Sequence, residues 1–210
     1  RGVQVLTDEK QLFTYLFSYG LMHFEKMRSS FSSLPTNIIN NNIHIIDWGC
    51  GQALASISLL EYFSEDKDSF KKVTLVEPSE IALKRASLHV KKLSSNINIV
   101  TINKDLDSLK SADFPQTSSE INIHLFSNIL DIDLFVMTQL VDLIKTTFKG
   151  ENYFVCASPY INDLKTSRLD SFMKSFLAMP TFELLKNISN RKGDWVNNWS
   201  RVVRVFKYDY

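Results

Sequence analysis

The sequence predicts an α/β fold: a doubly wound, mostly parallel, seven-stranded sheet with an antiparallel carboxyl-terminal hairpin and an amino-terminal helical segment. Between residues 43 and 177, short apolar runs typical of buried strands alternate with longer stretches of helical periodicity. The last two strand-like runs have only a turn-rich stretch between them. Strands joined through helices are parallel, and strands joined by a short turn are antiparallel, so the two patterns together define this fold.

The chain is expected to divide into an amino-terminal helical segment, residues 1–42, and a domain, residues 43–210, on which that segment packs. Apolar side chains recur at helical spacing over residues 8–28. The serine- and asparagine-rich stretch 29–42 contains few apolar side chains at a regular spacing. It is therefore predicted to be the loop that joins the two parts.

Seven strands and four further helices are predicted in the domain. The strands are predicted at residues 43–48, 73–77, 97–103, 121–126, 153–157, 181–187 and 200–208. The helices are predicted at residues 54–63, 78–93, 130–149 and 161–177. The charged stretch 64–72 is predicted to be a surface loop, and residues 189–194 are predicted to be the turn of the hairpin.

Composition gives few indications of partner or compartment. The 210 residues carry 24 basic and 23 acidic side chains, so the net charge favours neither nucleic acid nor an anionic membrane as a partner. No apolar run approaches the roughly 20 residues that span a bilayer, and we expect no membrane partner. Cys50 and Cys156 lie in apolar contexts and are expected to be free thiols in a cytoplasmic protein. Because the chain opens with Arg1, we expect it to be part of a longer protein.

A glycine-rich turn follows the first predicted strand, where an open parallel sheet binds its ligands. In the run Asp47-Trp48-Gly49-Cys50-Gly51 the two glycines allow a sharp turn and let a ligand approach bare backbone. The following helix offers unpaired N–H groups at its start. A Gly-x-Gly pattern also occurs in ordinary tight turns, so this motif alone does not distinguish a ligand-binding turn from a structural one.

Carboxylates lie at the ends of the second and third predicted strands, with Glu77 as the last residue of the second strand and Asp105 just past the third. Glu77, next to Pro78, is placed to accept hydrogen bonds from the hydroxyls of a ribose, or it is a first-turn acid of the next helix. Asp105, next to Leu106, is placed to contact an adenine amino group, or it caps the following turn. Both alternatives remain open at this point.

Polar residues also follow the fourth predicted strand. Ser127 and Asn128 are placed to face the reacting end of a bound ligand. Asp131 and Asp133 are interpreted as first-turn acids of the helix predicted at residues 130–149. No group of histidine, cysteine and acidic residues has the spacing of a metal site, and no metal is predicted.

These four strand ends together resemble the motif set of class I S-adenosylmethionine (SAM)-dependent methyltransferases, a resemblance that runs from Ile43 to about Asp131. It implies SAM as the cofactor, with the glycines along its methionine part, Asp47 ordering the loop and Glu77 at the ribose. The residues that the resemblance implies at the cofactor are Asp47, Gly49, Cys50, Gly51, Glu77, Pro78, Asp105, Leu106, Ser127 and Asn128.

The resemblance leaves the methyl acceptor unidentified. Members of the family that methylate amino groups of bases often carry a Pro-Pro-aromatic sequence after the residue that corresponds to Asn128, and this chain has Ile129-Leu130 there. Candidate catalytic residues are Asn128, His23 and Tyr19, and the further side chains considered at the acceptor end are Tyr15, Lys26, Tyr160 and Arg168. A structural role is the alternative for His23.

Two aromatic residues and one thiol near the acceptor end also have two interpretations. Trp195 and Trp199 could stack on a base, but packing across the hairpin is the favoured explanation. Cys156 could be a nucleophile, but a small buried side chain is favoured, since the motif that surrounds such a cysteine is missing.

Three function classes are compatible with parts of the pattern. A nicotinamide-dependent oxidoreductase is disfavoured because the third glycine of its fingerprint would fall at Leu54. A catalytically silent SAM-binding scaffold or interaction module is the main alternative to an enzyme. For a methyltransferase, RNA or another macromolecule such as a protein is favoured as the acceptor over a small metabolite.

Overall fold

The computed structural model describes residues 5–115 and 121–210, and all structural statements below refer to these residues. Seven strands form one sheet: β1 (Ile43–Trp48), β2 (Phe70–Val76), β3 (Asn98–Ile102), β4 (Ile121–Ser127), β5 (Glu151–Ser158), β6 (Glu183–Asn190) and β7 (Arg201–Asp209). The α-helices are α1 (Glu9–Tyr15), α2 (Leu21–Phe31), α3 (Leu54–Tyr62), α4 (Glu80–Leu93), α5 (Met137–Thr147) and α6 (Asp163–Lys174).

The strand order in the sheet is β3-β2-β1-β4-β5-β7-β6. Strands β1 to β5 are all parallel to their neighbours, and β7 runs antiparallel to both β5 and β6. The chain builds outward from β1 to β3 and then returns to place β4 on the other side of β1. The predicted doubly wound sheet with a carboxyl-terminal hairpin is confirmed, and the order reverses between β1 and β4.

The core lies on both faces of the sheet because successive side chains of a strand point to opposite faces. Ile45 and Ile46 are both fully buried and belong to different clusters. The cluster that contains Ile45 includes side chains of α2, α3 and α4, and the one that contains Ile46 includes side chains of α5 and α6. The central strands are therefore apolar on both faces, as the continuous runs in the sequence indicated.

The amino-terminal helical segment is nearly continuous from Glu9 to Phe31. A π-helical turn, Leu16–Gly20, joins α1 to α2, and the residues at both junctions keep right-handed helical dihedral angles. The helix extends past its predicted end at residue 28 because Ser30 and Phe31 are fully buried against the sheet. Packing thus extends a helix into a stretch whose composition favoured a loop. The division of the chain at residue 42 stays a prediction.

The helix predicted at residues 130–149 begins later than expected, at Met137. Residues 128–136 form an irregular loop whose backbone accepts hydrogen bonds from a side chain of α6. Arg168 donates hydrogen bonds to the carbonyl oxygens of Leu130 and Ile132. Asp131 and Asp133 therefore precede the helix, and their interpretation as first-turn acids is wrong.

Several boundaries also differ from the predictions. Helix α4 begins at Glu80 with Ser79 as its N-cap, so Pro78 precedes the helix instead of starting it. Strand β2 begins at Phe70, so residues 70–72, predicted as the end of a surface loop, belong to the strand. Strand β6 extends to Asn190, so residues 191–200 connect the hairpin in place of the shorter predicted turn.

Within residues 5–115 and 121–210, no helix combines the length and the apolar composition that crossing a membrane requires. Cys50 and Cys156 are both free and buried, and burial raises the pKa of each thiol. A buried, protonated thiol is a poor nucleophile, so the structure favours the structural interpretation of Cys156.

Candidate active site

The candidate site lies at the carboxyl edge of the sheet, where β1 and β4 diverge. Open α/β sheets bind ligands at this reversal of strand order because the loops after the two strands turn away from each other and leave a crevice. The turn after β1 contains the glycines of the predicted motif, and the loop after β4 begins at Asn128. Glu77 follows β2 on the adjacent side.

The two glycines of the turn have different surroundings. Both have positive φ, +62° at Gly49 and +53° at Gly51, a region that side chains disfavour. A Cβ atom at Gly49 would lie 2.9 Å from Cδ1 of Ile129, so this glycine is required by close packing. A Cβ atom at Gly51 would meet nothing within 4 Å, so bare backbone at Gly51 borders open space.

Glu77 links the glycine turn to the start of α4. Its Oε2 accepts a hydrogen bond from the N–H of Gly51 at 3.0 Å, and its Oε1 accepts one from the N–H of Ser79 at 2.9 Å. Burial raises the pKa of the carboxyl, and the two N–H donors oppose that rise. Each oxygen keeps a lone pair for a further donor. The sequence placed Glu77 beside the glycines, and the two hydrogen bonds fix its orientation there.

Asp47 lies beneath the glycine turn and is almost completely buried. Its Oδ2 accepts hydrogen bonds from the N–H and the hydroxyl of Ser56, at 3.2 and 2.7 Å. Its Oδ1 has no hydrogen-bond partner among the described residues. Burial raises the pKa of this carboxyl to about 6, although the Ser56 hydrogen bonds oppose the shift. A buried, half-satisfied carboxylate is costly unless a cation or donor compensates it.

The amino-terminal segment crosses this edge of the sheet. Its first described residues contact the α4 start, where the Ser79 hydroxyl donates to the carbonyl oxygen of Leu6 at 2.5 Å. Further along, Nε2 of Gln52 donates to the carbonyl oxygen of Leu12 at 3.1 Å. Gln52 is a site residue that was not predicted from the sequence, although a polar side chain directly after the glycine turn is a usable signal.

A buried lysine connects the segment to the loop after β4. Nζ of Lys26 donates to Oδ1 of Asn128 at 2.7 Å, and Lys26 is only 1% exposed. Burial lowers the pKa of the amine to about 8, and the nearby Asp131 carboxylate opposes the shift. Oδ1 of Asp131 is buried without a partner among the described residues. Asn128 itself has a φ of +59°, and its Nδ2 donates to Ser127 Oγ at 3.0 Å.

Solved structures with the same fold superpose on most or nearly all of this chain. A SAM-dependent methyltransferase from Clostridium acetobutylicum superposes with a TM-score of 0.57 at 11% identity, covering 97% of this chain and 100% of that chain. The N-methyltransferase NodS from Bradyrhizobium japonicum gives 0.52 at 13% identity, with 90% and 95% covered. Magnesium protoporphyrin IX methyltransferase from Synechocystis, with bound SAM, gives 0.50 at 12% identity, with 99% and 100% covered. The chain has the class I methyltransferase fold.

The likeness is one of structure, since the identities are low. No family model matches the sequence, and no curated protein matches it. The class I methyltransferase fold nevertheless confirms the fold that the four strand-end motifs implied.

Three aromatic side chains of the amino-terminal segment form a cluster at the crevice. The hydroxyl of Tyr15 lies 3.2 Å from Nδ1 of His23, and the rings of Tyr19 and His23 stack with centroids 6.1 Å apart. Burial and then the Lys26 charge lower the pKa of His23 to about 3. Burial and then the Glu77 carboxylate raise that of Tyr15 to about 12. His23 is therefore a weak proton acceptor at neutral pH, which favours its structural role.

Other predicted residues lie further from the glycine turn. Asp105 is exposed, and its Oδ1 accepts the N–H of Ser108 at 2.9 Å, so it caps a 3-10 turn that begins at Leu106. Pro78 lies between Glu77 and the α4 cap, and its carbonyl oxygen accepts from Nδ2 of Asn103. Among the described residues, no hydrogen bond joins Asp105 to the glycine turn. In the described part of the chain, no group of three or more metal-binding side chains converges.

Proposed function

We propose that this protein is a SAM-dependent methyltransferase. The observation that carries the proposal is the arrangement of Gly51 and Glu77, in which bare backbone borders open space next to a carboxylate that keeps unused lone pairs. It lies at the strand-order reversal of a fold whose solved neighbours are methyltransferases, one of them with bound SAM. These neighbours indicate SAM as the cofactor.

The residues of the site fit the chemistry of SAM. The cofactor has two cationic groups, the sulfonium and the amino group, and a ribose with two hydroxyls. The site holds two buried carboxylate oxygens without partners, on Asp47 and Asp131, which favour a cationic ligand. Glu77 can accept the ribose hydroxyls, and the backbone of Gly49 to Gly51 can line the methionine part.

The other predicted cofactor residues keep their roles within this proposal. Cys50 holds the turn in place, since its N–H donates to the carbonyl oxygen of Val76 at 2.9 Å. Asp105 and Leu106 would border the adenine, and Ser127 and Asn128 would face the reacting end. Because Oδ1 of Asp105 accepts the N–H of Ser108, Oδ2 is the oxygen that would accept from an adenine amino group.

The bound cofactor supplies an electrophilic methyl group on a positively charged sulfur, which needs no proton to leave. The protein therefore has mainly to align an acceptor with that methyl group and keep water away. Lys26 and Asn128 are at the acceptor end of this arrangement. With a pKa near 8, the Lys26 amine is partly uncharged at neutral to alkaline pH and can take a proton from an acceptor that must lose one.

Calorimetric titration with SAM and with S-adenosylhomocysteine tests the proposal. We expect micromolar binding by the wild type and a loss of tenfold or more in Glu77→Ala, since hydrogen bonds to a charged group contribute roughly 1.5–3 kcal/mol. Glu80→Ala is the matched control, because Glu80 is an exposed carboxylate three residues away. NAD is the control ligand. A folded protein that binds neither SAM nor S-adenosylhomocysteine would contradict the proposal.

Transfer is tested separately from binding. Incubating the protein with methyl-labelled SAM and with the RNA, protein and small-molecule fractions of a cell extract should label one fraction. We expect the label in a macromolecule, in keeping with the preference drawn from the sequence. Binding without transfer to any fraction would leave the catalytically silent SAM-binding scaffold as the function.

A further inference from the structure

A second group of side chains lies at the same edge of the sheet, in the loops that follow β5 and β6 and at the start of β7. We name it the basic–aromatic surface, and it consists of Tyr160, Arg191, Lys192, Trp195, Trp199 and Arg201. Because β7 is antiparallel to β5, Val202 pairs with Ser158 and the loop 191–200 returns to the carboxyl end of β5. The Ser200 hydroxyl donates to the carbonyl oxygen of Tyr160 at 3.1 Å, which joins the two loops.

The rings and guanidinium groups of this surface are interleaved. The guanidinium carbon of Arg191 lies 5.1 Å from the ring centroid of Tyr160, and that of Arg201 lies 4.3 Å from the ring centroid of Trp195. The rings of Trp195 and Trp199 contact each other within the loop, with centroids 6.1 Å apart. Packing of the two rings across the strands of the hairpin stays a prediction. All three rings are partly exposed to solvent.

The basic side chains of this surface have no acidic partners. Arg191 and Lys192 are exposed, and neither they nor Arg201 forms an ion pair with any described residue. Two carboxylates also lie at this surface. Asp163 accepts the hydroxyl of Tyr160 at 2.5 Å, and Asp194 accepts the backbone N–H of Arg191 at 2.9 Å. The three basic side chains outnumber these two carboxylates, so the surface carries a small net positive charge.

A groove lies beside these side chains, past the carboxyl end of β5. It has a volume of about 440 Å³ and is lined by residues 160–163 together with Arg191 and Lys192. Strand β5, which leads into it, pairs with β4 so that Ala157 lies opposite Ser127. The groove therefore begins one strand away from Asn128, on the acceptor side of the crevice.

We propose that the basic–aromatic surface binds single-stranded nucleic acid. Unstacked bases stack on aromatic rings and on guanidinium planes, and the cations pair with the phosphates. A duplex hides its base faces, so partly exposed rings at and beside a groove are suited to a single strand. A strand bound here brings a base toward Asn128, and in this respect the inference rests on the proposed function and names its acceptor class.

Binding is measured by the fluorescence anisotropy of labelled 20-nucleotide oligo(U) and oligo(dT) added to the whole protein at low salt. We expect saturable binding to at least one of them, with preference for oligo(U) indicating RNA. The double variant Arg191→Ala/Lys192→Ala and the single variant Trp195→Ala should each weaken it tenfold or more. For the double variant, the slope of log K against log salt should fall by about 1.4, which corresponds to two phosphate contacts on a single strand.

The double variant Lys91→Ala/Lys92→Ala is the matched control, because it removes two adjacent exposed cations from the end of α4. It should bind as the wild type does. Equal loss in both double variants would show non-specific attraction and overturn the proposal. So would the absence of saturable binding, in which case a protein partner is the remaining use of this surface. Retained SAM binding in every variant separates these outcomes from a failure of the proposed function.

Discussion

Nζ of Lys26 donates a hydrogen bond to Oδ1 of Asn128 at 2.7 Å, although 102 residues separate the two in the chain. One residue belongs to the helix that crosses the edge of the sheet, and the other belongs to the loop after β4. The contact therefore places an amine inside the crevice where the acceptor end is proposed. Its protonation state has consequences that can be measured without knowing the acceptor.

The buried amine predicts a specific pH dependence of stability. The pKa of Lys26 is about 8 in the folded protein and 10.5 in the unfolded chain, so the unfolded chain binds more protons between these values. The free energy of unfolding of the wild type should therefore rise by up to about 3 kcal/mol relative to Lys26→Met between pH 8 and 10.5. Below pH 8 the difference should be constant. Urea unfolding at several pH values measures it.

Lys92→Met serves as the control for that series, because it makes the same substitution at an exposed position. If the curves of the wild type and Lys26→Met run parallel up to pH 10.5, the amine does not titrate where the buried environment predicts. Its role as a proton acceptor at neutral pH would then be untenable.

The raised pKa of Asp47 predicts that stability changes with pH in the opposite direction at acidic pH. Its pKa is about 6 in the folded protein and 3.8 in the unfolded chain, so here the folded state binds more protons. The wild type should lose up to about 3 kcal/mol of stability relative to Asp47→Asn as pH rises from 3.8 to 6. Above pH 6 the difference should stay constant. Denaturant titrations across this range provide the measurement.

The same substitution should weaken cofactor binding. A buried carboxylate without a full set of partners favours a cationic ligand, and asparagine removes that charge. We expect SAM to bind Asp47→Asn at least tenfold more weakly at pH 7, as measured by calorimetry. Asp68→Asn, which removes an exposed carboxylate, should bind SAM as the wild type does. Unchanged affinity in Asp47→Asn would mean that Asp47 has no electrostatic part in binding.

The two glycines of the turn should respond differently to alanine. Gly49→Ala brings a methyl group to within 2.9 Å of Ile129 and also strains the backbone, so we expect a stability loss of about 2–4 kcal/mol. Gly51→Ala meets no neighbour and should lose only the backbone contribution of about 1–2 kcal/mol. Thermal and urea unfolding distinguish the two variants.

Ligand binding should reverse that order of severity. The alanine methyl at position 51 would project into the open space where the cofactor is proposed to lie, so Gly51→Ala should lose SAM affinity tenfold or more while it stays folded. If Gly51→Ala binds SAM with the affinity of the wild type, the open space beside it is not the cofactor site.

Much of the fold was predictable because its signals are local. The continuous apolar run of β1 and the alternation of strands with helices depend on neighbouring residues, and they predicted the class of the sheet and its hairpin. The glycine turn and Glu77 were also identifiable, because the carboxyl ends of parallel strands meet at one edge of the sheet. The start of α5 was not predictable, since hydrogen bonds from Arg168 hold the preceding residues out of the helix.

The sequence by itself determined which residue types stand at the ends of the strands, and hence the fold class and the kind of cofactor to propose. Only the tertiary structure decided which hydrogen-bond partners these residues have and how deeply they are buried. It joined Lys26 to Asn128, left one oxygen of Asp131 without a partner among the described residues, made Asp105 a cap and gathered the rings and cations of the loop 191–200. The physical reason is that burial, and with it the cost of a charge, depends on groups that lie far apart in the chain.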